Sequence, residues 1–210
     1  MNEAGLGPES ATVLGQILAA KIPIEGTNNK RHWFAHVDLG KNNLGNAGLA
    51  NLLKGVLRCD SIVSLDLGSN DIMIDGASLL FRSLRYHPSL SILTIANHDR
   101  LHRNRIGINA CSDLRDFLAE NKVISMLNIA DNRIGNDGLA VISPALNKDC
   151  VLIILNLSNN DLEGVLAIEH LSNYITTSKT LVELNLGNNR LGDAAISKLG
   201  QIFNDKKCHL

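Results

Sequence analysis

Apolar residues recur along this 210-residue chain at two alternating spacings. The first is a two-residue beat: Val37-Asp-Leu39, Leu65-Asp-Leu67, Leu93-Thr-Ile95, Leu127-Asn-Ile129, Leu155-Asn-Leu157 and Leu184-Asn-Leu186. Such alternation predicts short strands with one buried face. The second follows downstream as Leu49, Leu52, Val56, then Ala77, Leu80, Leu84, then Cys111, Leu114, Leu118, then Leu139, Ile142, Leu146. That i, i+3, i+7 spacing predicts one buried stripe of a helix. Between the two patterns stand Asn42, Asn70, Asn104, Asn132, Asn160 and Asn189, at intervals of 28, 34, 28, 28 and 29 residues. A period in this range means one strand–turn–helix unit stacked repeatedly. Each unit is translated rather than reversed, so the strands are expected to be parallel.

The asparagines read as scaffold. The chain turns sharply out of each strand there, and a buried side-chain amide offers donors and an acceptor to the turn's backbone and to neighbouring units. Losing one would orphan buried groups at roughly 1–3 kcal/mol each.

Three departures from the period carry information. Leu6 to Leu18 matches the turn-and-helix part of a unit with no strand of its own, a half-repeat expected to cover the first edge of the core. An insertion follows within Lys21 to Trp33, and its Arg31-His32-Trp33 cluster is expected to pack over that edge rather than offer an exposed hot-spot aromatic. Residues 98–103 are inserted directly after the third strand. The expected organisation is a single domain: a capping helix and inserted loop in 1–33, six repeats in 34–203 and a tail in 204–210.

Composition narrows the function classes. Apolar residues make up 45% of the chain but aromatics only 3%, so leucine and isoleucine must fill the interior. A formal net charge of −1 gives no general attraction to nucleic acid or anionic membrane. No apolar run reaches membrane-spanning length, and the N-terminus lacks a secretory pattern. Cys59, Cys111, Cys150 and Cys208 have no metal-ligand spacing, which suits free thiols in a reducing cytoplasmic or nuclear setting. No cofactor or metal site is implied.

The LxxLxLxxNxL pattern followed by an amphipathic helix resembles the leucine-rich repeat, with a period similar to the ribonuclease-inhibitor-like subclass. The regular asparagine, without alternating cysteine, is similar to the repeats of Ran GTPase-activating proteins. The resemblance covers residues 34–203 and implies an α/β horseshoe: a parallel concave sheet, convex helices, about six repeats and an N-terminal half-repeat helix. It further implies a non-enzymatic module that binds another protein through the concave face and its rims.

Side chains one residue either side of the buried strand positions should face the concave side. There Ile92, Met126 and Ile154 form an apolar ridge on adjacent strands, beside Thr94, Asn128 and Asn156, with Asp38 and Asp66 at one end and Glu183 at the other. The insertion brings His98, Arg100, His102, Arg103 and Arg105 to one rim, suited to an acidic partner, a phosphate or a nucleic-acid backbone, or else simply a solvated loop. Two alternatives remain at this point. One is a Ran-type regulator of a small GTPase, which the missing phosphate loop and Mg²⁺ ligands disfavour. The other is a self-assembling structural protein, since the last strand has no visible cover and could pair two copies.

Overall fold

The computed structural model describes residues 1–97 and 101–204. Helix α1 (Pro8–Ala19) leads to a hairpin of β1 (Ile22–Pro23) and β2 (Lys30–Arg31). Six strand–helix units follow: β3 (His36–Asp38) and α2 (Gly45–Val56), β4 (Ser64–Asp66) and α3 (Ile74–Leu84), β5 (Ile92–Thr94) and α4 (Cys111–Glu120). The series continues with β6 (Met126–Asn128) and α5 (Gly135–Ile142), β7 (Ile154–Asn156) and α6 (Gly164–Thr177), then β8 (Glu183–Asn185) and α7 (Gly192–Asn204). The six strands form one parallel sheet in chain order, with Val37, Leu65, Leu93, Leu127, Leu155 and Leu184 in register.

The two spacings meet in one core. Leu65, Leu67, Leu93 and Ile95 of the strands and Leu49, Leu52, Leu80, Leu114 and Ile142 of the helices are all fully buried. Helices are about 10 Å wide while strands repeat every ~4.8 Å, so stacking both in step bends the array with the sheet on the inside.

Among the described residues the asparagine side chains of this row bond to backbone rather than to one another's side chains. Each reaches back to the backbone of the unit before it. Asn104 Oδ1 accepts the N–H of Asn70 (3.0 Å) and of Ile72 (2.9 Å), and its Nδ2 donates to the carbonyl of Leu67 at 2.8 Å. Asn160 and Asn189 repeat the arrangement on the units headed by Asn132 and Asn160. The inserted segment leaves this row intact because Asn97 closes its base. Asn97 Oδ1 accepts the Asn104 N–H at 2.6 Å, and its Nδ2 donates to the Asn104 carbonyl at 3.0 Å.

A second set of caps lies at the other end of the strands. Asn121 Nδ2 donates to the Leu84 carbonyl at 3.1 Å, while its Oδ1 accepts the N–H of Val123 and Ile124. One unit earlier, buried His87 does the same work as a neutral ring. Nε2 faces the Val56 carbonyl at 3.2 Å, and Nδ1 accepts the Leu90 N–H at 3.2 Å. Burial holds its pKa below the ordinary 6.5. Protonation would set an N–H at Nδ1 against backbone donors. The unfolded chain therefore takes up a proton below about pH 6.5 that the folded chain resists, and stability is lost as pH falls from there toward the folded pKa, at up to ~1.4 kcal/mol per pH unit. His87→Asn, copying Asn121, is expected to flatten urea-unfolding stability between pH 7 and pH 5. An unchanged slope would assign the acid sensitivity elsewhere.

The ends differ from the sequence expectation in one respect. Trp33 does not cover the first strand; it is 63% exposed, with the Arg31 guanidinium 5.8 Å from its ring centre. Beside β8 and α7, Ile175, Val182, Leu184, Leu186, Leu199 and Phe203 line an open apolar hollow of about 310 Å³ among the described residues.

Candidate protein-binding surface

The strand register brings the apolar ridge together. Ile92 pairs with Met126 and Met126 with Ile154, between Ser64 on one flank and Glu183 on the other. All three are half-buried, since neighbours on a sheet shield one another. Sequence reasoning missed two exposed apolar residues just ahead of β7 and β8: Ile153 is 43% exposed and Val182 73%, and they adjoin through the Val182 N–H and the Ile153 carbonyl at 2.8 Å. Their signal was an apolar residue immediately before the regular strand, where the other units carry alanine, serine or Val63.

The polar row has a structural task that the sequence did not reveal. Asp38, Asp66, Asn128, Asn156 and Asn185 each accept, through Oδ1, the backbone N–H two residues ahead, at 2.7–3.2 Å. This turns the chain at the strand's end. The amide nitrogens of Asn128 and Asn156 make no bond among the described residues and remain available as donors. Thr94 stands in the same row without that bond.

At the rim, His98 and Arg100 lie outside the described residues. His102 Nδ1 meets Asp71 Oδ2 at 2.7 Å, and Arg103 pairs with Asp131, a bond that raises the guanidinium pKa. The Arg103 charge is thus matched by a carboxylate of the adjoining unit, and the His102 ring is hydrogen-bonded to another. Arg105 is exposed and has no ion pair among the described residues, as has Arg133 one unit on. The two arginines border a cleft of about 230 Å³ with Met73, Arg103, Asn104 and Asp131. Arg133 was missed by reasoning from irregularities because it sits in a regular unit. Its signal is the shared place of Asn104-Arg105 and Asn132-Arg133.

Cys59, Cys111 and Cys150 are buried free thiols, and burial pushes Cys111 up to about 12, far from a reactive thiolate. Among the described residues no group of three His, Cys, Asp or Glu side chains is placed to hold a metal ion.

The family model described as Leucine Rich repeat matches residues 32–53, 121–143 and 177–200. The chain is 31% identical over 163 residues to the human NACHT, LRR and PYD domains-containing protein 14, and 33% identical over 168 residues to mouse NACHT, LRR and PYD domains-containing protein 12. These alignments take in 76% and 80% of this chain. This is a leucine-rich-repeat protein. Pig ribonuclease inhibitor, 26% identical over 203 residues, places this leucine-rich-repeat chain in the ribonuclease-inhibitor-like subclass and aligns with 96% of it. The chain spans 14% and 15% of the two NACHT-containing relatives and 35% of the inhibitor. Among solved structures, the leiomodin-1 actin-binding site 2 superposes with a TM-score of 0.56 at 18% identity, over 74% of this chain and 88% of that one, which shows the shared fold. Leucine-rich-repeat domains are generally non-enzymatic protein-binding modules, and this chain is a protein-binding repeat module. No helix among its described residues is long and apolar enough to cross a membrane.

Proposed function

We propose that this leucine-rich-repeat chain is an adaptor or scaffold that grips one partner protein on the sheet face of its third to fifth units. The single observation behind this reading is the in-register trio Ile92, Met126 and Ile154 on an otherwise polar sheet. An apolar centre with a polar rim is the anatomy of a protein-binding patch. In this reading Asn128, Asn156 and Thr94 supply hydrogen bonds beside the ridge, Ile153 and Val182 extend it, and Glu183 borders it. Asp38 and Asp66 favour a basic feature of the partner at one end. Arg105 and Arg133 meet an acidic group at the rim, aided by whatever charge His98, Arg100, His102 and Arg103 add. The buried free thiols suit a reducing compartment, cytoplasmic or nuclear.

Affinity capture with wild type and Met126→Asp tests the proposal. A buried carboxylate at the centre of the patch is expected to weaken capture of the true partner at least about tenfold, with the far-ultraviolet circular dichroism unchanged. Should every captured protein survive the substitution, the partner sits elsewhere.

A further inference from the structure

On the rim, the residue that follows each row asparagine reads Asp71, Arg105, Arg133, Asp161 and Arg190 from the second unit to the sixth. The outer members have partners in the stack: Asp71 bonds to His102 at 2.7 Å, and Arg190 donates to Asp161 at 3.3 Å. Arg105 and Arg133 between them are exposed and have no ion pair among the described residues. Yet their segments run in contact, since the Gly107 N–H donates to the Asn132 carbonyl at 3.2 Å. Like charges in such adjacent places repel, and an anion lying between them relieves the repulsion.

The cleft that the two arginines border holds Arg103 and Asp131 as well. Three arginines face one carboxylate there, an excess of two positive charges. That excess selects the ligand. A carboxylate brings one negative charge, whereas a phosphomonoester brings about −1.5 to −2 at pH 7 and three acceptor oxygens, enough to engage both arginines. The surroundings admit only one such group. Asp71 and Asp161 stand on either side of the pair, and Asp137 and Glu163 line the hollow beyond Arg133. A nucleic-acid strand or an anionic membrane presents phosphates in series, and these carboxylates would repel them. Apolar side chains flank the cleft instead. Met73, 42% exposed, lines it, and Ile108, 47% exposed, borders the same hollow as Arg133.

We propose that this cleft binds a single phosphoserine or phosphothreonine of a partner protein, in a segment whose neighbouring residues are apolar. The inference rests on the reading of the chain as a protein-binding module and names the acidic group that meets its rim. The phosphate bridges Arg105 and Arg133, and the apolar neighbours cover Met73 and Ile108. Arg103 contributes less, because Asp131 already holds it.

The probe is an amino-terminally labelled, carboxy-amidated peptide with phosphoserine between two leucines, titrated with the full chain by fluorescence anisotropy. Saturable binding below about 1 mM is expected, roughly tenfold weaker when serine or aspartate replaces the phosphoserine. Arg105→Gln and Arg133→Gln should each weaken it roughly tenfold, while Lys54→Gln, near the end of α2, should not. Asp131→Asn is expected to tighten binding roughly threefold by releasing Arg103. Asparagine tolerates the positive φ of 55° at that position, and a gain cannot arise from misfolding. Inorganic phosphate should displace the peptide only at about tenfold higher concentration or more. Equal potency would assign the cleft to the free ion, and stronger displacement by a single-stranded oligonucleotide would assign it to nucleic acid; either overturns the proposal. So does the absence of saturable binding up to about 1 mM, or indifference to both arginines. Met126→Asp is expected to leave the peptide's affinity unchanged. Partner capture that is lost in Met126→Asp, with no phosphopeptide bound by wild type, would keep the adaptor and remove its phosphate site.

Discussion

Replacing Asn132 with alanine is expected to lower the unfolding free energy by about 2–4 kcal/mol. The side chain is fully buried in the middle of the array. Its Nδ2 donates to the carbonyls of Ile95 (3.0 Å), Ile129 (3.3 Å) and Ala130 (2.9 Å), and its Oδ1 accepts the Ile106 N–H at 3.2 Å. The carbonyls each have another donor, from Asn104, Asn160 and Asn97, so their loss is softened. The Ile106 N–H has no such substitute, and a cavity the size of an amide remains. Asn132→Asp separates hydrogen bonding from shape. It keeps the volume but sets a carboxylate against three carbonyls, so it should be worse than alanine at pH 7 and recover part of the loss on acidification, when protonation restores a donor. Urea denaturation of the three proteins at pH 7 and pH 5 checks both. An alanine variant within about 1 kcal/mol of wild type would show that the turn carries its own backbone without help.

Gly55→Ala is expected to detach the first helix. An added Cβ would stand 1.9 Å from the Gly15 carbonyl oxygen and 2.5 Å from its C and Cα, all backbone atoms that no rotamer change can move. Alanine is intrinsically the better helix residue by about 1 kcal/mol, so a loss of stability here would be a packing effect with its sign opposed by propensity. Overpacking of this kind costs about 1–3 kcal/mol. In a stacked array that cost falls on the nearest unit first, since each contacts only its neighbours. Hydrogen exchange is the suitable readout: amides of α1 should lose most of their protection while those of β6 to β8 keep theirs. Equal protection in both proteins would mean that the helices tolerate a wider spacing than the structure has.

These two sites differ in how far they could be foreseen. Asn132 announces itself by recurrence, and its burial follows from lying between a two-residue and a helical apolar pattern. Gly55 lies outside the buried stripe of Leu49, Leu52 and Val56, and only the arrival of Gly15 from forty residues upstream makes its missing side chain matter. The candidate surface divides the same way. The ridge of Ile92, Met126 and Ile154 was legible because strand register follows from the repeat. The pairing of Arg103 with Asp131 and the bond of His102 to Asp71 were not, because these partners lie 28 and 31 residues away and meet only when units stack. The hairpin of β1 and β2 has two-residue strands, too short for any periodicity to mark.

The repeating unit, the parallel sheet and the buried asparagine row were legible in the residues alone, because each depends on spacings within one period of the chain. Only the stacked units show which rim charges lack an ion pair among the described residues, and why the strand-end aspartates and asparagines are needed by their own turns. Those outcomes depend on what one unit sets beside the next.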